Sequence, residues 1–294
     1  MICNAGTLAV FTEEIYQPAH IALRPRSFAE LRRVARQFEA FAGPVLLTDI
    51  SEDVLTAFLG HLLARGLSGP TINSARRELL TLLRFAYRRH LIDEVPRDVP
   101  RVPESRRIPT AWTTEEVARL FDLSSRWPGR VGNHLARLWW PALEKVAYWT
   151  GARIGDLMAI RPADLDVTRA ELLVCASKTG KEKLYSLHPQ AMTAMASVYN
   201  PRAERLFVWP YSPNHLFVVF RGIVRAAGVP YNGKRGQLFQ RLRRTHVTYC
   251  WLRSPALAQR QADHYSARTT WQSYVDPRIA GEQTAADVLP VPMV

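Results

Sequence analysis

Four stretches of this chain gather side chains suited to binding phosphate esters. They are TGARIGDLMAIRPADLD at 150–166, SKTGK at 177–181, QLFQRLRRTHVTYCWL at 237–252 and ADHYSARTTWQSYVDP at 262–277. Arginine presents a planar fork of donors that matches two phosphate oxygens at once, so arginines brought together from distant segments would grip a phosphodiester. In the first stretch a helix should end at Gly151 and another begin, which makes Arg153 project from a turn and not from a packed face. Lys178-Thr179-Gly180-Lys181 has turn-forming composition between two short apolar runs and reads as the tip of a β-hairpin. The three cysteines, Cys3, Cys175 and Cys250, have no CxxC or Cys/His ligand spacing, and no aspartate cluster of the two-metal nuclease type is readable. No metal or other cofactor is called for by these residues.

Charge points to the partner. Lys+Arg number 39 against 26 Asp+Glu, a formal net charge of +13 over 294 residues. Residues 1–105 are nearly balanced, and residues 106–294 carry almost the whole excess. A polyanion such as nucleic acid is the favoured partner. No apolar run approaches the roughly 18–20 residues that span a bilayer, and the start MICNAGTLAVFTEE lacks the basic flank of a secretory signal, so a cytoplasmic protein with no membrane partner is expected.

The elements that must position these stretches follow from hydrophobic spacing. Ser27 with Glu30 forms a capping-box pattern ahead of Phe28, Leu31, Val34, Phe38 and Phe41. Ser51 opens a second helix that should stop at Gly66, and Thr71 a third. In the third, Ile72, Ala75, Leu79, Leu82 and Leu83 face inward, while Arg76, Arg77 and Arg84 offer a basic face that is either solvated or in contact with DNA. Residues 92–110 hold four prolines without periodicity and read as an extended linker, with a domain boundary near residue 105. Thr113 and Glu116 pattern another capping box. A helix is expected from about Leu135 to Thr150, a hairpin over 170–187, and helices over 213–227, 238–253 and 256–271.

Taken together, the four stretches resemble the signature boxes of the tyrosine recombinase or phage-integrase family. TGARIGDL resembles T-G-x-R-x-x-E/D-L, SKTGK the hairpin lysine motif, QLFQRLRRTHVT the H-x-L-R-R-T-x-A-T helix, and ADHYSARTTWQSY the ending G-H-S-x-x-x-T-T-x-x-x-Y. The resemblance implies a catalytic set of Arg153, Lys178, Gln240, Arg243, His264 and Tyr274, with Asp156 as the supporting acid. Tyr274 would be the nucleophile, the two arginines would hold the non-bridging phosphate oxygens, Lys178 would protonate the leaving 5′ oxygen, and His264 would hydrogen-bond the phosphate. Tyr249 and Tyr265 match no nucleophile slot and are expected to pack as aromatics. Gln240 departs from the pattern, which has histidine there, and an amide cannot accept a proton near neutral pH. His246, one helical turn past Arg243, is either a substitute base or a packing residue.

The implied fold is mainly α with a small antiparallel β-sheet. Residues 1–105 would form a helical, SAM-like core-binding domain with linker, and residues 106–294 the tyrosine-recombinase catalytic domain. The two would close as a clamp on double-stranded DNA, through Arg76, Arg77, Arg84, Lys181, Arg241 and Arg244. The chain would be a monomer when free and a homotetramer on DNA, exchanging a C-terminal segment for which 277–294 is the candidate. Alternatives are a catalytically impaired homologue or regulator that only binds DNA, motivated by Gln240, a relaxing topoisomerase with the same chemistry, and a helix-turn-helix regulator built on the 238–253 helix.

Overall fold

Helices form where apolar residues recur at three- and four-residue spacing, in a computed structural model that describes residues 6–105, 107–231 and 237–281. The chain divides into two units, Met1–Arg106 and Arg107–Val294. Among its described residues the first unit is helical apart from one isolated antiparallel bridge, Thr7 with Leu46, and extended connections. It runs through α1 (Leu8–Phe11), a π-turn (Thr12–Tyr16), α2 (Gln17–Ala19), α3 (Pro25–Ala42), α4 (Glu52–Ala64) and α5 (Gly69–Arg88). Its core places Phe38 edge-on to Phe58 at 5.4 Å, with Leu55, Leu62, Leu79, Leu82 and Leu83 buried around them.

Two helix starts differ from expectation for one reason. The Ser27–Glu30 capping box does not form, because α3 begins three residues earlier, at Pro25 with Arg24 as its N-cap, and α5 begins at Gly69-Pro70 and not at Thr71. In both cases a proline in the first turn supplies the helical φ in advance. Ser51 caps α4 as expected, accepting from Val54 N at 3.3 Å.

Residues 92–105 are extended but strapped to α5. Asn73 exchanges hydrogen bonds with Val102 through both backbone groups, at 2.8 and 3.0 Å, and Arg76 Nε donates to Val99 O at 2.8 Å. Gly69 allows this approach, since a Cβ there would lie 2.3 Å from Pro103 O.

The second unit begins with α6 (Thr114–Ser124), whose Thr113–Glu116 capping box is complete, and a two-stranded ribbon, β1 (Arg130–Val131) with β2 (His134–Leu135). It continues through α7 (Ala136–Thr150), α8 (Ile154–Leu157) and an antiparallel sheet in the order β3 (Leu165–Asp166), β4 (Glu171–Cys175), β5 (Glu182–Ser186). Then come α9 (Pro189–Ala196), α10 (Pro213–Ala226), α11 (Gln237–Arg253), α12 (Pro255–Ala262), α13 (Ala267–Tyr274) and α14 (Pro277–Ala280). Trp139, Trp140, Phe207 and Phe220 are buried at its centre, Trp140 stacked on Phe220 at 5.8 Å. Truncating such a side chain costs about 3–5 kcal/mol.

The helix expected over 256–271 is two helices, broken at Asp263 in the left-handed region (φ 56°). That break makes the corner on which His264 sits. Among the described residues, no helix is long and apolar enough to cross a membrane. Residues 282–294, most of the segment expected to exchange between subunits, lie outside the described residues, as does Cys3.

Candidate active site

Arg153 owes its position to Gly151. Helix α7 closes with Gly151 at φ 63°, and a Cβ at that residue would fall 2.5 Å from His246 Cδ2. Both the conformation and the space require glycine. Arg153 is then the N-cap of α8, partly exposed, with Nη1 4.0 Å from Asp156 Oδ2. Asp156 is buried and accepts from Ser177 N at 2.8 Å and Ser177 Oγ at 2.6 Å. One carboxylate thus ties the Arg153 turn to the β4–β5 hairpin. Lys178 follows Ser177 at the exposed tip of that hairpin. The cleft beside Arg153 and His264 is lined by two other hairpin lysines, Lys181 and Lys183.

Arg243 comes from α11 and is almost fully buried. Nη1 donates to Gly151 O at 2.5 Å and Nη2 to Ala262 O at 2.6 Å. These two bonds engage two of its five donors and fix the plane of the fork between the α7–α8 turn and the α12–α13 corner. Its Nε is buried with no partner among the described protein groups. A buried donor without an acceptor is unfavourable.

Tyr274 is the last residue of α13 and lies against Arg243, whose guanidinium carbon is 5.3 Å from the ring centroid. Thr248 of α11 pins the chain on both sides of buried Val275, donating to Tyr274 O at 3.2 Å and accepting from Asp276 N at 3.1 Å. Burial alone would raise the phenol's pKa. The Arg243 charge, hydrogen bonds from Gln240 and Arg243, and the Arg153 charge outweigh it and hold Tyr274 below its ordinary value. Tyr185, the other phenol in this region, is pushed up to about 12, first by burial and then by the Asp263 carboxylate. Of the two, only Tyr274 is made easier to deprotonate.

His264 follows the α12 break, its ring centroid 4.8 Å from that of Tyr274. Its Nδ1 meets Thr270 Oγ1 at 3.1 Å, and the Thr270 hydroxyl donates to Ser266 O at 3.2 Å. With that hydroxyl proton given to Ser266 O, Thr270 can accept from Nδ1–H, an arrangement that leaves Nε2 for substrate. Burial, with Arg243 and Arg153 nearby, lowers the His264 pKa and favours the neutral ring.

Other expected residues fall out differently. His246 is a packing residue: its Nδ1 pairs with Tyr148 O at 2.8 Å, and burial pushes its pKa down to about 4. Tyr265 was expected to pack but is fully exposed. Arg241 holds Thr110 Oγ1 and Pro230 O, and Arg244 is half-buried beside Tyr274, with burial lowering its pKa. Arg76, Arg77 and Arg84 lie on α5 of the first unit, where Arg76 holds Val99 O, Arg77 holds Ser74 Oγ and Arg84 is exposed. Sequence reasoning missed Lys183, Asp263, Ser177 and Thr270. Only Thr270, inside the T-T motif, carried a readable signal. Among the described residues, no group of three or more His, Cys, Asp or Glu side chains is placed to hold a metal.

No family model matches the chain. Three tyrosine recombinases do. It is 28% identical over 152 residues to tyrosine recombinase XerD of Rhizobium meliloti (strain 1021), covering 51% of this chain and 48% of that protein. It is 31% identical over 137 residues to tyrosine recombinase XerA of Thermococcus kodakarensis, covering 46% and 44%. The chain thus spans about half the length of the curated relatives it matches. Among solved structures it shares the fold of a lambda integrase tetramer bound to a Holliday junction, with TM-score 0.70 and 19% identity over 93% of this chain and 77% of that one. It shares it also with the Tn1549 transposon integrase in complex with transposon right end DNA, with TM-score 0.72 and 14% identity over 96% of each.

Proposed function

Because the chain belongs to the tyrosine recombinase family, we propose that it is a site-specific DNA recombinase that cuts and rejoins duplex DNA through Tyr274. The single observation that carries this reading is the placement of the Tyr274 ring 5.3 Å from the Arg243 guanidinium carbon and 4.8 Å from the His264 ring, within one subunit.

The residues account for each step. The Tyr274 oxygen attacks phosphorus, a new P–O bond forms, and the 5′ oxygen leaves with the bonding pair. Negative charge gathers on the two non-bridging oxygens in the transition state. Arg243, fixed in advance by two carbonyls, and Arg153 donate to those oxygens. Losing one preorganised donor of this kind costs about 3–4 kcal/mol, or roughly 10²–10³ in rate. Lys178 supplies the proton to the departing 5′ oxygen. Gln240 cannot take the proton of Tyr274, so the phenol is activated by positive charge, with neutral His264 beside it as a group that can accept.

The product is a 3′-phosphotyrosyl enzyme and a free 5′ hydroxyl. Reversal by a new 5′ hydroxyl rejoins the strand with no energy source. The chain would act in the cytoplasm on double-stranded DNA, as a homotetramer across two sites. Arg77, Arg84, Lys181 and Arg244 would contribute to the backbone grip, and Arg76 and Arg241 only if they exchange an internal carbonyl for phosphate. Binding should weaken steeply with salt.

The test is a nicked duplex from the chain's own locus, placed so that cleavage releases a short strand and traps the intermediate. Wild type should give a slow-migrating band on a denaturing gel, labelled through the 3′-phosphate side, and Tyr274→Phe none. DNA binding with no adduct in wild type would leave the regulator reading, which Gln240 motivates.

A further inference from the structure

Lys183 inverts the alternation of its strand. On the β4–β5 ladder Tyr185 pairs with Leu172 and Lys183 with Val174. The face that buries Leu172, Val174 and Tyr185 therefore also carries Lys183, whose side chain is 20% exposed, while Leu184 on the other face is 56% exposed. An ammonium turned inward needs acceptors. It finds them at the end of α12, donating to Arg260 O at 2.9 Å and Gln261 O at 3.0 Å. Arg243 takes the next carbonyl, Ala262 O. The negative end of α12 is thus capped by cations from β5 and α11.

The residue that follows departs from the family's motif, which has glycine where this chain has Asp263. Asp263 is non-glycine at φ 56°, a conformation disfavoured for residues with a Cβ. Its carboxylate is 3.7 Å from Lys183 Nζ and 3.8 Å from Lys181 Nζ, both on the hairpin that carries Lys178. The next residue is His264. Asp156 holds the same hairpin from its other side, through Ser177.

We propose that Asp263 and Lys183 form a positioning latch, which holds the Lys178 hairpin on the α12–α13 corner before DNA arrives and so sets the spacing between proton donor and His264. The proposal rests on the recombinase reading for its catalytic consequence. Neither residue touches the reacting atoms. Asp263 is also an anion lining the cleft with Arg153, Lys181 and Lys183, where the DNA phosphate would enter. Removing its charge should therefore tighten DNA while loosening the hairpin. A carboxylate needed only for folding would weaken both.

The full-length chain is compared with Asp263→Asn, which keeps tolerance for the left-handed backbone, and with Lys183→Met and Lys183→Arg. Amide hydrogen exchange is followed without DNA at Thr179 and Gly180, which donate to Ala176 O, and at Ala176, which donates to Lys181 O. D263N and K183M should exchange there about tenfold faster, K183R near wild type, with α7 amides unchanged as the control for folding. D263N should bind a 30-base-pair duplex of arbitrary sequence several-fold more tightly at low salt, yet cleave the nicked locus duplex about tenfold more slowly in a single turnover. Unchanged hairpin exchange in D263N and K183M overturns the latch. So does D263N losing binding and cleavage in parallel, or loss of α7 protection in D263N. Failure of wild type to form any adduct overturns the recombinase reading instead, and the exchange measurement still decides the latch.

Discussion

Replacing Arg243 by methionine removes the main charge that makes Tyr274 acidic, and the size of the effect follows from the geometry. With the guanidinium carbon 5.3 Å from the ring centroid and an effective dielectric near 20, the attraction for a negative charge at the ring is about 3 kcal/mol. Arg243→Met should therefore raise the Tyr274 pKa, and Arg243→Lys, which keeps a charge but loses the fork, should raise it less. Both variants should lose about 10²–10³ in cleavage rate, because neither presents the paired donors that the transition state uses. Both should also be less stable by about 1–3 kcal/mol per orphaned carbonyl, since Gly151 O and Ala262 O lose partners. The assay is NMR titration of chain labelled at the tyrosine ring carbon, with the Tyr274 signal assigned by its absence in Tyr274→Phe. A Tyr274 titration unmoved in Arg243→Met would refute the electrostatic account of its activation, whatever the loss of rate.

Other outcomes are equally specific. Gln240→His places an ionisable group near the Tyr274 phenol, so cleavage should rise on the order of tenfold above a new ionisation, and a pH profile identical to wild type would count against that placement. Mixing Arg243→Met with Tyr274→Phe should restore no cleavage, because the phenol and the guanidinium act within one subunit; recovery of adduct would mean that the nucleophile is delivered from a neighbour. Glu144 is fully buried, accepts from Ser124 Oγ at 2.7 Å, and has its pKa raised well above the ordinary value by that burial. The folded state holds this proton longer than the unfolded one, so stability is greatest below about pH 4.3 and falls by about 1.4 kcal/mol per pH unit as pH climbs toward the folded pKa. Glu144→Gln should abolish that slope in urea unfolding between pH 4.5 and 8, and an unchanged slope would show that the proton is not held there.

What the sequence disclosed, and what it withheld, follows from the range of the interactions. Gly151 could be read because a helix stop, a left-handed residue and a tight approach all demand glycine at one position. The Lys178 turn was readable as local chemistry, and the positions proposed as catalytic because their spacing within each box is short. The hold on Asp156 by Ser177 spans 21 residues, and the Lys183 bridge to Arg260 and Gln261 spans 77 and 78, so neither leaves a local pattern. Parity did contain a clue: once the hairpin register is known, Lys183 falls on the same face as Tyr185. The break at Asp263 was hidden because the residue there is not glycine, and local composition alone favoured one continuous helix. Prolines at the starts of α3 and α5 overrode the serine and threonine cap signals that follow them.

The central claim, that the Tyr274 oxygen becomes bonded to the DNA phosphorus, is tested most directly by mass spectrometry of the trapped adduct after protease and nuclease digestion. The account predicts a nucleotide attached through a 3′-phosphate to Tyr274 in the wild-type peptide, and no such species from Tyr274→Phe. A nucleotide on any other residue, or an adduct that persists in Tyr274→Phe, would contradict it.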